Sequence, residues 1–224
     1  MPKTGLTSAE IRDKAIDVTI EQMRRYGFDR VRLVDVAKDL GVSHAALYTH
    51  FADRGALLDA VSERWVNALE ISLEAICRKN KDPVAKIHEW FQKLYSAKRE
   101  KVLNDPELYK SFNVAAEQRK QFYTSHLTHA NRQLTRLVEE AVAEKNLAKY
   151  PVARTVVLLL EATASFHNPN LVAQHVHEKH EPLLKQVLDV VINGLSCKTP
   201  SRLPRVALRA TMRTPPNQVF LLHA

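Results

Sequence analysis

Apolar residues recur along this chain at the three-to-four-residue spacing of amphipathic helices, punctuated by residues that start or stop helices. Thr7 followed by Glu10 has the form of a capping box and opens a helix expected to reach Tyr26, with Ile16, Ile20 and Met23 on its buried stripe and Gly27 as its stop. Leu33, Val36, Ala37 and Leu40 fall at i, i+3, i+4 and i+7, which predicts a second helix over residues 32–40. Gly41 can take the left-handed conformation that closes that helix and reverses the chain. Ser43 restarts helix at once, because its hydroxyl can accept a backbone N–H two or three residues on. The next two turns, 44–51, present a small, polar outer side, while Val42 and Leu47 fill the corner behind them and Ala37 permits a close crossing. Such a pair of helices is built to place the second one in the major groove of DNA.

The pattern continues as helices to near the end. Asp53 is a good N-cap for a long helix over 54–78, with Leu57, Leu58, Val61, Trp65, Ala68, Leu69 and Ile76 on its inner face. Asp82-Pro83 starts another, carrying Val84, Ile87, Phe91 and Leu94 in register; Asn104-Asp105-Pro106 ends it and begins the next. Leu127, Ala130, Leu134, Leu137 and Ala141 define a helix over 123–145. Tyr150-Pro151 opens the apolar run VARTVVLLLEATASF, His167-Asn168-Pro169 interrupts it, a short helix is expected at 171–174, and Glu181-Pro182 begins LLKQVLDVVINGL. Two helices apolar over much of their circumference need partners on more than one side. With five glycines and no run of alternating β-branched residues, the expected class is all-α.

Charge changes this picture less than its total suggests. The 224 residues carry a formal +8, yet residues 1–65 hold ten Lys/Arg against ten Asp/Glu, and 198–224 hold five Lys/Arg with no acid and four prolines. The basic excess therefore sits mainly in a terminal segment expected to be a disordered basic tail, and DNA binding must rest on local placement instead. Cys77 and Cys197 show no CxxC spacing, so buried thiols are expected rather than a disulfide framework or zinc ribbon. The amino-terminal residues lack a secretory core and no apolar run approaches membrane-spanning length, which points to a cytoplasmic protein with no membrane partner.

The stretch 11–61 resembles the head of TetR-type transcriptional regulators. The resemblance rests on Gly27-Phe28, Val36-Ala37, Leu40-Gly41-Val42-Ser43, Leu47-Tyr48, His50-Phe51 and Leu57-Leu58. It implies an N-terminal three-helix DNA-binding head at 1–53, a helical effector-binding and dimerisation domain at 54–197, and the tail at 198–224. It further implies a homodimer joined by the last two long helices, a pseudo-palindromic double-stranded DNA operator, and repression released by a small-molecule effector. Control by a metal ion or a protein partner is the alternative. No cofactor is expected, and no enzyme: the chain lacks a Gly-rich phosphate loop, a Ser-His-Asp spacing signal and a suggestive carboxylate pair. Two positions depart from the family: Arg32, where a capping Thr or Ser is common, and Gly55, where an acid is common.

Chemistry assigns the candidate contacts. The first residues of the second motif helix face base edges, which selects His44, Ala45 and Ala46; of these only His44 offers a directional hydrogen bond. Tyr48, Thr49 and His50 are placed to reach phosphate oxygens, Ser43 is a cap and possible phosphate donor, Arg32 offers a charged contact, and Arg54 combines a guanidinium with a helix N-terminus. The implied effector pocket would draw its lining from Trp90, Tyr95, Phe112, Phe122, His126 and Phe166. His175, His177 and His180, near His167, Glu178 and Glu181, are weak metal candidates; a solvated polar junction is the favoured reading.

Overall fold

The computed structural model of the chain describes residues 5–144, 146–147 and 150–196; Cys197 and the expected basic tail lie outside them. Among the described residues every regular element is helical. Helix α1 (Ser8–Tyr26) begins with the full capping box, the Thr7 backbone donating to Glu10 at 2.8 Å, and ends at Gly27 with φ of 89°. A 3-10 turn (Phe28–Arg30) leads to α2 (Leu33–Leu40) and α3 (His44–Tyr48). Then follow α4 (Arg54–Cys77), α5 (Pro83–Asn104), α6 (Pro106–Glu117), α7 (Gln121–Ala143), α8 (Val152–Ala162), α9 (Ala164–His167), α10 (Pro169–Gln174) and α11 (Glu181–Ser196). Asp82 caps α5 through the Ala85 amide at 2.7 Å, with Pro83 in the first turn, where its missing N–H costs nothing.

Two boundaries differ from the sequence pattern. Helix α3 stops at Tyr48 rather than Phe51, and the Thr49 hydroxyl donates to the Ala46 carbonyl at 2.7 Å as the chain leaves the helix. The apolar run expected to be one helix breaks at Thr163, whose hydroxyl donates to the Leu159 carbonyl at 2.7 Å; this side-chain competition bends helices.

Burial divides the molecule. One core gathers Ile16 and Met23 of α1, Val36 and Ala37 of α2, Leu47 of α3, and Leu57, Leu58 and Val61 of α4, so the head's core extends into α4 beyond residue 53. Leu108 of α6 joins that core. The other gathers Leu69 and Leu73 of α4 with Trp90, Phe91 and Leu94 of α5, Leu134 and Leu137 of α7, Leu159 of α8, and Leu184 and Leu188 of α11. Helix α4 thus runs through both. A smaller aromatic cluster of Tyr109, Phe112 and Tyr123 with Val66 fills the corner between them. No helix of the described residues is long and apolar enough to cross a membrane.

Candidate nucleic-acid interface and the cavity behind it

The turn between α2 and α3 is made by backbone geometry that only glycine takes readily. Gly41 has φ of 72° and ψ of 25°, and its N–H and that of Val42 return to the carbonyls of Lys38 and Ala37 at 3.1 and 3.0 Å. Ser43 then accepts the Ala46 amide at 3.1 Å. Leu47 is fully buried beneath α3, and this fixes which side of the helix faces out. His44, Ala45 and Tyr48 are exposed and Ala46 is half-buried. The His44 and Tyr48 rings meet edge to face at 4.5 Å, so the proposed base-reading imidazole and phosphate-reaching phenol form one unit. His50 is half-buried, and its carbonyl accepts Arg12 Nη1 at 3.4 Å while the Arg12 guanidinium lies 5.0 Å from the Phe51 ring centre. Sequence reasoning missed Arg12, which ties α1 to the end of the motif. Arg32 precedes α2 in extended conformation, exposed and making no side-chain cap.

Arg54 takes a different place from the one expected. Its Nε donates to the Val31 carbonyl at 2.9 Å, Nη2 donates to the Phe28 carbonyl, and the guanidinium lies 5.0 Å from the Phe28 ring centre. The α4 N-terminus is already capped, with Asp53 accepting the Ala56 amide at 2.7 Å. Two of the guanidinium's donor groups and one amide of the α4 N-terminus are therefore taken up inside the head. Arg54 acts as a strut that holds the 3-10 turn against α4, a role set by carbonyls more than twenty residues away and invisible locally.

The head is fastened to the rest through the start of α6. Arg24 grips Asp105 through Nε and Nη2 at 2.6 and 3.0 Å, and Lys101 reaches the same carboxylate at 2.9 Å. The Arg24 hydrogen bond, working against partial burial, holds the Asp105 carboxyl below its ordinary range. Glu107 accepts the Phe28 amide, and Lys110 pairs with Asp29.

Comparison with known proteins decides the family. A model described as bacterial regulatory proteins, tetR family, matches residues 15–61, and one described as tetracyclin repressor-like, C-terminal domain, matches 83–188. This chain belongs to the TetR family of transcriptional regulators. No curated protein matches it in sequence. Among solved structures it is similar to a TetR/AcrR-family transcriptional regulator from Thermobifida fusca YX-ER1, with 19% identity, TM-score 0.62, and coverage of 83% of this chain and 98% of that one. A protein of unknown function from Rhodococcus sp. RHA1 matches at 23% identity and TM-score 0.63, over 88% of this chain and all of that one at 100%. RolR in complex with the ligand resorcinol matches at 14% identity and TM-score 0.57, over 84% and 88%. At these identities the solved structures establish a shared fold.

Within the TetR-type body, the six aromatic and polar residues expected around a pocket separate. Trp90 and His126 line a small cavity of about 30 Å³, together with Leu94, Lys98, Tyr123, Leu127, Ala130, Asn131, Leu160 and His167. Phe122 instead lines an outer cleft of about 450 Å³ between α4 and α7, with Glu70, Ser125 and His129. Tyr95, Phe112 and Phe166 line neither of these spaces. Phe112 packs edge to face on Trp65 at 4.9 Å and Tyr95 on Phe166 at 5.9 Å; ring-to-ring contact of this kind is what holds a core together.

The cavity's polar lining was only partly foreseen. Burial pushes the His167 imidazole down to about 4, reinforced by nearby Lys98 and opposed by a hydrogen bond to the Leu160 carbonyl. Burial likewise lowers His126, opposed by the hydrogen bond that its Nδ1 donates to the Glu70 carboxylate at 3.0 Å. Lys98 and His167 were overlooked as lining because lysine in a helix is usually solvent-facing, although Lys98 falls in register with Trp90 and Leu94 of the apolar stripe. Of the weak metal candidates, His175 and His180 both face Glu178, at 3.1 and 2.6 Å, whereas His177 is exposed and apart from that contact. Among the described residues no group of three or more His, Cys, Asp or Glu is arranged to hold a metal ion.

Proposed function

We propose that this DNA-binding regulator works as a homodimer, represses transcription from a pseudo-palindromic operator, and releases it when a small molecule enters the body. The observation that carries the reading is the exposed face of α3, held rigidly by the Gly41 turn, the Ser43 cap and Leu47 beneath it. His44, Ala45 and Ala46 read base edges, while Ser43, Tyr48, Thr49, His50 and Arg32 meet phosphate or its neighbourhood. With one directional base-reading side chain, most of the affinity comes from backbone contacts and falls steeply with salt.

An uncovered apolar face supports the dimer. Leu183 and Val190 lie on one stripe of α11, 45% and 72% exposed, and Val157 on neighbouring α8 is 40% exposed. Such a stripe on two adjacent helices suits a four-helix bundle with a second copy. Helix α6 supports the coupling. Its start is clamped to the head by Asp105, Glu107 and Lys110, while its Phe112 packs beneath Lys98 of the cavity at 5.6 Å. A ligand that spreads α5 from α7 therefore shifts α6 and the two heads, and a dimer whose heads miss the groove spacing loses its second half-site. RolR, solved with resorcinol, is a precedent for a small-molecule ligand on this fold. Footprinting on DNA beside the protein's own gene tests the reading: a protected inverted repeat is expected, and no protection even at low salt refutes it. Sedimentation of Val190→Asp tests the dimer, which should dissociate with the protomer's helicity unchanged.

A further inference from the structure

The inner face of α5 places a lysine where its apolar stripe would otherwise carry hydrocarbon. Lys98 is 4% exposed, four residues beyond Leu94. Its Nζ donates to the His167 carbonyl at 2.6 Å and lies 5.6 Å from the Phe112 ring centre. Among the described residues no carboxylate stands within ion-pairing distance of it. An ammonium has three donors, and one carbonyl leaves capacity for a second acceptor. Burial without a counter-ion lowers that amine to about 7, so an anion brought beside it stabilises the protonated form and is bound strongly.

The space beside that ammonium has matching walls. Trp90, Leu94, Leu127 and Leu160 are apolar, whereas Tyr123 and Asn131 add polar groups that can donate. Burial pushes the Tyr123 phenol up to about 12, which keeps it a donor. We propose that this cavity takes a small organic acid, its carboxylate on Lys98 Nζ and its hydrocarbon body against Trp90, Leu94, Leu127 and Leu160. The inference names the chemistry of the effector and rests on the effector reading of the body given above. With the His126 and His167 imidazoles lowered by burial, Lys98 is the cation of this lining, which matches a monoanion and leaves the second charge of a phosphate without a cation.

Entry follows from what stands between the cavity and the outer cleft. The space holds roughly one water, so an acid must widen it. His126 lines the cavity and donates to Glu70, which lines the cleft and also faces His129 at 2.8 Å. Entry from the cleft side requires the His126–Glu70 hydrogen bond to break, with Glu70 kept by His129, so that the cavity widens toward the cleft.

The test titrates benzoate and octanoate, with benzamide and octanamide as uncharged counterparts, against the full chain by tryptophan fluorescence, Trp90 being in the cavity wall. At least one acid should bind wild type roughly tenfold or more tighter than its amide, the scale of one charge-assisted hydrogen bond. Lys98→Met and Lys98→Gln should erase that preference while keeping wild-type helicity. Equal binding of acid and amide, a preference that survives both variants, or no binding of either acid overturns the proposal. Should a variant unfold, the acid-to-amide ratio of wild type decides alone. Footprinting with the same acids separates the two readings: Lys98-dependent binding that leaves DNA protection unchanged upholds the acid site and refutes its role as effector site.

Discussion

The head and the body of this molecule handle polar chemistry in opposite ways. On α3 the polar groups face solvent: His44 and Tyr48 meet edge to face in the open, and the residue beneath them, Leu47, is buried hydrocarbon. Behind α5 and α7 the order is inverted, with Lys98, His126 and His167 turned inward and their charged forms disfavoured by burial. A DNA-reading surface must offer donors to a large partner without rearranging itself, so its supports are apolar and fixed. A buried polar cluster is costly in isolation, and a ligand that satisfies it can gain much from entering.

Changes to the buried side chains of each side test the comparison most sharply. Leu47→Ala should cost about 3 kcal/mol and abolish DNA binding while leaving the body folded, as read by denaturant unfolding alongside gel shifts. Acid should act on the body instead. His167 titrates normally near 6.5 when unfolded but at about 4 when folded, so the unfolded chain binds more protons between these values. Its contribution, about 3 kcal/mol, is complete above pH 6.5 and lost as pH falls toward 4; His167→Gln should flatten that part of the stability profile.

Arg54→Met should cost about 2 kcal/mol by releasing two carbonyl contacts, yet leave the salt dependence of DNA binding unchanged. A slope reduced by about one would show that Arg54 meets phosphate after all. The smallest effect is expected from Ser43→Ala, about 1 kcal/mol from the lost cap, measurable as a lowered midpoint of head unfolding.

What the sequence made legible follows the same division. Caps and turns are local chemistry, so Thr7 with Glu10, Gly41, Ser43, Asp53 and Asp82 marked helix ends that the fold reproduces. The inward turn of Arg54 depends on a 3-10 segment elsewhere in the chain, and Glu107 holds the Phe28 amide across 79 positions; neither contact leaves a periodic trace. In the body, aromatic size suggested pocket lining, but Tyr95, Phe112 and Phe166 fill their space by packing on other rings. The clue that was present, a lysine in register with an apolar stripe, gains its meaning only once α7 and α9 close over it.

Selection from a randomised duplex library, by wild type, His44→Ala and Tyr48→Phe, tests the DNA-reading role of α3 most directly. Tyr48→Phe keeps the ring that supports His44 and removes only the hydroxyl. Wild type should enrich an inverted repeat, Tyr48→Phe should enrich the same repeat with weaker binding throughout, and His44→Ala should relax preference within each half-site. No enrichment by wild type at low salt, or an unchanged preference without the His44 imidazole, would contradict the role assigned to this helix.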